Sequence, residues 1–211
     1  MHDAAQRPLA AGSGTEGRRT AHGYLYNAWH HFLTITHHKI LVMRYCFQVG
    51  LYRQGLLHDL SKYSPAEFIT GVRYYQGFKS PNSAERDALG YSAAWLHHKG
   101  RNKHHFEYWI DIRGKGDGTL VGMPMPTRYV VEMFCDRIAA CKVYMKEKYT
   151  DASPLEYYER NIPYVTIHPD SAALLVRMLK LLAEKGEKET FRIVRETIVK
   201  PRYHSGAGSR F

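Results

Sequence analysis

Three stretches of this chain repeat apolar residues at helical spacing, and each carries a histidine or an aspartate in the middle of its apolar face. On the first, His38, Leu41, Val42, Tyr45, Val49 and Tyr52 recur at this spacing, which points His38 inward. On the second, Ala88, Tyr91, Trp95 and His98 share a face, with His97 to one side. On the third, Tyr129, Met133, Asp136, Ala140 and Val143 form the stripe. A buried ionised carboxylate such as Asp136 is costly unless a cation or several donors compensate it. A lone core histidine is usually hydrogen-bonded and nothing more. The same anomaly on three helices favours convergence on one buried polar site.

No run alternates with period two for long enough to support a sheet, so the expected class is all-α. Helix boundaries follow from local chemistry. Ser64-Pro65-Ala66-Glu67 and Ser153-Pro154-Leu155-Glu156 both read as capping boxes with proline at the first helical position. Asn82 or Ser83 opens a helix expected to run to His98 and stop at Gly100, with Gly100 as a left-handed terminator. Thr127 caps a long helix through Lys146; Pro169 and Asp170 open another that ends at Gly186, before a last helix over Glu187 to Val199. The stretch from Gly114 to Pro126 reads as an extended loop, either a lid or a short hairpin. Residues 1–21 read as a disordered extension, 22–200 as a single helical domain and 201–211 as a flexible tail.

Hydrophobic residues at 44% and charged residues at 24% are ordinary for a soluble globular protein. The most apolar stretch, Ile40 to Leu51, is interrupted by Arg44 and Gln48 and falls short of the roughly 20 residues a membrane span needs. With no apolar leader, the expectation is a cytoplasmic protein without a membrane partner. Cys46, Cys135 and Cys141 form no Cys-x-x-Cys pair and read as reduced core residues. The net charge of +10 favours an anionic partner: a phosphate ester, a nucleotide or nucleic acid.

The chemistry concentrates in two places. Gly55-Leu56-Leu57 runs into His58-Asp59, with Lys62 three residues later. Imidazole and carboxylate together suit ions such as zinc, iron or manganese, and a carboxylate also bridges two ions. The second place is His97-His98-Lys99-Gly100-Arg101-Asn102-Lys103-His104-His105, four histidines around a helix stop. There His98 and one of His104 and His105 are candidates for a second metal position. Lys62, His97, Lys99, Arg101, Asn102 and His105 are candidates for binding an anionic substrate. Glu132, one turn before Asp136, is either a surface residue or a group that orients a ligand histidine.

The order His38, His58-Asp59, Asp136 resembles the ligand order of the HD-domain superfamily. That resemblance implies an HD-like helical bundle, with His38 (or its neighbour His37) as first ligand and Asp136 as last. A closer resemblance, to an uncharacterised bacterial family of HD-like proteins, is carried by residues 55–68, 94–109 and 125–144. The superfamily resemblance implies one or two divalent ions (manganese, iron, cobalt, zinc, nickel or magnesium) held by His38, His58, Asp59, His98, His104 and Asp136. It further implies a metal-dependent phosphohydrolase acting on a small phosphorylated or nucleotide-like substrate, with Asp59 and Lys62 as catalytic residues. Two alternatives stand beside it. One is a di-iron oxygenase of the kind that inositol oxygenase represents. The other, less favoured because no nucleic-acid motif is visible, is a non-catalytic basic module that binds nucleic acid.

Overall fold

The computed structural model describes residues 21–114 and 118–200; the expected N-terminal extension (save Ala21) and the C-terminal tail lie outside the described residues. The order of helices is α1 (Ala21–Gln48), α2 (Tyr52–Leu57), α3 (Pro65–Arg73), α4 (Pro81–Leu89), α5 (Ala93–Lys99), α6 (Thr127–Met145), α7 (Ser153–Asn161) and α8 (Pro169–Ile193). A π-helical turn over Val194–Val199 follows α8. The all-α expectation holds. Among the described residues the sheet consists of one hairpin, β1 (Ile110–Ile112) with β2 (Leu120–Gly122), paired Ile110 to Gly122 and Ile112 to Leu120. Of the two expectations for this region, lid or hairpin, the hairpin is what forms. No described helix is long and apolar enough to cross a membrane.

The core lies where α1, α6 and α8 meet. Val42 and Cys46 of α1, and Val49 just after it, pack with Val130, Phe134 and Ile138 of α6 and Leu175, Leu179 and Leu182 of α8, all fully buried. The three cysteines are buried as expected, Cys46 and Cys135 inside this cluster. The hydrophobic gain from these side chains, about 1.5–3 kcal/mol each, holds the bundle together. It leaves the N-terminal half of α6 almost wholly buried.

The end of α1 sets the position of everything that follows. Gly50 adopts φ +88°, Gly50 N donates to Phe47 O (3.1 Å) and Leu51 N to Cys46 O (2.7 Å). This paired bonding with a left-handed glycine is a Schellman stop, and it turns the chain back along α1. It also removes Tyr52 from the α1 stripe, and that residue is exposed on α2. A Cβ on Gly55 would stand 3.0 Å from Cys46 Cβ, so glycine allows α2 to lie close against α1.

Several expected boundaries move. The helix expected from residue 82 or 83 to His98 is two helices. Gly90 breaks it at φ +82°, and Ser92 caps α5 by accepting from Trp95 N at 3.0 Å. Ala88 and Tyr91 therefore lie at the exposed break, while His98 stays buried. Gly100 is right-handed at φ −71° and terminates nothing by handedness. Neither capping box forms. Ser64 makes no side-chain cap, and Ser153 lies inside α7 and accepts from Thr150 N. Pro126, rather than Thr127, is the cap of α6, and α6 ends at Met145. Gly186 does mark the expected break, as a kink at φ +72° inside α8.

Gly71 of α3 faces the His31 ring of α1 so closely that any Cβ would run into the ring. Gly71→Ala is expected to destabilise the fold by about 1–3 kcal/mol through overpacking. Gly114→Ala, which meets open space, is expected to change stability by less than about 0.5 kcal/mol. Denaturant melts of the two variants check the difference.

Candidate metal centre

The turn that leaves α2 builds the centre. Asp59 sits in the left-handed region at φ 53°, ψ 24°, a conformation aspartate tolerates better than most residues. Lys39 of α1 clamps the turn. Its Nζ donates to Leu56 O and His58 O, each at 2.8 Å. With the backbone held there, the Asp59 carboxylate is driven into the interior, and Asp59 is 1% exposed.

The two oxygens of Asp59 face two different groups of donors. On the Oδ2 side stand His58 Nε2 at 3.3 Å and His38 Nε2 at 3.7 Å. Asp136 of α6 closes this group, with Oδ1 at 2.9 Å from His38 Nε2 and 3.5 Å from His58 Nε2. On the Oδ1 side stand His98 Nε2 at 3.3 Å and His104 Nε2 at 3.4 Å, and His105 Nε2 lies 2.9 Å from His98 Nε2. Within each group the donor atoms lie within 4.8 Å of one another. Ligands about 2.1 Å from a shared ion stand roughly 3.0–3.4 Å apart, and most of the separations named above lie close to that range.

Apart from the ion pair between Lys62 and Asp59 Oδ2, these polar atoms have no partners beyond one another. His38 Nε2, His58 Nε2, His104 Nε2 and both Asp59 oxygens are buried without an aligned hydrogen bond. Such orphaned groups are rare in native interiors and call for a ligand. A divalent cation fits this donor set, and either group could hold one.

Two buried glutamates hold the rings. Glu132 Oε1 lies 3.0 Å from His58 Nδ1 and 3.3 Å from His104 Nδ1. Glu67 lies 2.7 Å from both His98 Nδ1, through Oε2, and His97 Nδ1, through Oε1. A carboxylate on Nδ1 fixes the tautomer that leaves Nε2 free to bind, which is how histidines that hold metals are commonly oriented. Glu132 is therefore the orienting group of the two alternatives. Glu67 is a residue the sequence reading missed, because it sits where a capping-box glutamate would.

The electrostatics follow from this crowding. Burial pushes the Asp59 carboxyl upward, but His58, Lys62 and His98 hold it well below the usual carboxylate range. Asp136 is likewise held low, against burial, by the His38 and His58 rings beside its carboxylate. Burial works to lower His58, yet Asp59, Asp136 and Glu132 raise it well above the usual value. His38 and His105 go the other way, lowered first by burial. Lys62, 2.6 Å from Asp59 Oδ2, keeps its charge more firmly than a free lysine.

The expected site residues divide plainly. His38, His58, Asp59, His98, His104 and Asp136 come together, and His105 joins them as a donor rather than only at the mouth. His37, the alternative first ligand, is exposed. Lys62 also reaches the centre. His97 is occupied by Glu67, and Asn102 is buried beneath the site, donating to His98 O and Ser61 Oγ, each at 2.8 Å. Arg101 and Lys103 are exposed, and Lys99 is half-buried. Lys39 is the other residue sequence reasoning missed, since it acts on backbone carbonyls that no side-chain pattern reveals.

Over residues 27–181 the chain matches a family of unknown function (DUF5662), and it belongs to that family. No curated protein and no solved structure matches.

Because His58 must release a proton before Nε2 can bind an ion, metal affinity is expected to climb as pH rises through and above 6.5. Calorimetry in buffers of different ionisation enthalpy should record proton release at neutral pH; affinity that is flat with pH would contradict this. Glu132→Gln is expected to weaken metal binding by about 10–100-fold while leaving the circular dichroism unchanged.

Proposed function

We propose that this chain is an HD-type, metal-dependent phosphohydrolase acting on a small phosphorylated or nucleotide-like substrate. The observation that carries the reading is the division of Asp59, one oxygen toward His38, His58 and Asp136 and the other toward His98, His104 and His105. A carboxylate so placed suits a pair of ions, and paired ions are a recurrent device for displacement at phosphorus. The order of donors along the chain supports the HD assignment.

Ions held there would supply Lewis acidity and a nucleophilic water at neutral pH. The chain's own residues do the rest. Solvent reaches the centre where Asp136 is 16% and Lys62 26% exposed, so the substrate enters on that side. Lys62 then offers its ammonium to a phosphoryl oxygen and offsets charge that grows during displacement. Asp59, low in pKa and fixed on both oxygens, holds the two donor groups at a constant separation. Glu132 and Glu67 keep the rings from rotating. The exposed Arg101 and Lys103 raise the local concentration of an anionic substrate without repelling a cation from the buried centre.

A di-iron oxygenase is the second reading, and the five histidine donors favour it. Protein purified without added metal, assayed by elemental analysis, should hold about two equivalents, and Asp59→Ala should lose them. Supplied with manganese or cobalt, the parent should hydrolyse phosphate monoesters. Lys62→Met should keep its metal and lose about 10²–10³-fold in turnover. Iron with substrate-dependent oxygen consumption, and no hydrolysis, would move the assignment to the oxygenase. Absence of metal after reconstitution would remove both.

A further inference from the structure

The outward face of α1 is a continuous apolar feature that the metal centre leaves unexplained. Leu25 (71% exposed), Trp29 (60%), Phe32 (39%), Leu33 (43%) and Ile40 (37%) follow one another at helical intervals along about 22 Å of the helix. Leu57 lies exposed at the end of α2, beside the point where Lys39 grips the neighbouring carbonyls. Trp29 and Phe32 already stack, ring centroids 6.1 Å apart. This is an apolar stripe on the order of several hundred Å², at the upper end of what a monomer leaves in water.

Charge says what covers it. From Ala21 to His38 there is no Asp, Glu, Lys or Arg, in a chain whose net charge is +10. Two copies of so basic a protein repel one another over most of their surface and can approach closely only through an uncharged face. Nucleic acid or an acidic bilayer would be drawn to the basic surface instead. Depletion of charge with enrichment of aromatic residues is the composition of an interface core.

We propose that this stripe is the interface of a homodimer, the α1 helices of two copies packing face to face about a two-fold axis. Trp29 and Leu33 lie at its centre, so each anchors against the partner's copy of the same patch. With its polar margins the stripe approaches the roughly 800 Å² per partner that a stable interface requires. The residues before α1 offer little to cover it from within, since residues 1–20 contain Leu9 and Met1 as their only large apolar side chains.

Sedimentation velocity on the full chain over a concentration series tests this. The parent should sediment as a dimer of 24.4 kDa subunits. Trp29→Glu and Leu33→Glu should each weaken the dimer by at least about thirtyfold, with helical content and metal content unchanged, because neither side chain is among the donors. A parent that is monomeric at every concentration would overturn the proposal. So would a dimer indifferent to both substitutions, or a monomer whose Trp29 fluorescence shifts on adding neutral phosphatidylcholine vesicles, which would assign the stripe to lipid.

Discussion

A carboxylate taken almost wholly out of water is the constraint on which this structure turns. Asp59 is 1% exposed and ionised, in a left-handed backbone that costs a non-glycine residue about 1–2 kcal/mol. Nothing apolar can offset that. The surrounding fold supplies imidazoles on both oxygens and the ammonium of Lys62 on one of them. The Schellman turn after α1, the close approach at Gly55 and the Lys39 clamp all serve to bring this one side chain inward. The packed trio of α1, α6 and α8 then fixes the frame in which His38 and Asp136 meet it.

Charge is distributed unevenly over the chain. Overall the chain is strongly basic, yet the centre gathers Asp59, Asp136, Glu132 and Glu67 among its histidines, with Lys62 and Lys39 as the nearby lysines. With its imidazoles neutral, such a cluster carries net negative charge and attracts a cation. The exposed Arg101 and Lys103 stand outside it. The pairing of each buried glutamate with two rings makes the arrangement economical: Glu132 serves one ring from each donor group, and Glu67 ties His98 to the more exposed His97.

Much of this was legible in the sequence because polar residues on apolar faces are conspicuous. His38, His98 and Asp136 could be placed inward by spacing alone, and the all-α class followed from the absence of alternation. What could not be read had physical reasons. The stripe Ala88, Tyr91, Trp95, His98 keeps helical spacing in the sequence across a true break, where Gly90 and the Ser92 cap end one helix and start another, so Ala88 and Tyr91 do not share the buried face of His98. Three-residue strands are too short to show alternation. Glu67 was hidden behind a capping pattern it happens to satisfy, and Asn102 looked like a mouth residue because its bonds to Ser61 and His98 join parts of the chain remote in sequence or main-chain atoms.

The bridging position of Asp59 is the central claim, and anomalous diffraction from crystals grown with manganese tests it most directly. Two anomalous peaks are predicted, about 3.5–4 Å apart, one on each side of the Asp59 carboxylate, with His38, His58 and Asp136 around the first and His98, His104 and His105 around the second. A single peak, or none, with Asp59 bonded only to Lys62 and the histidines, would contradict it.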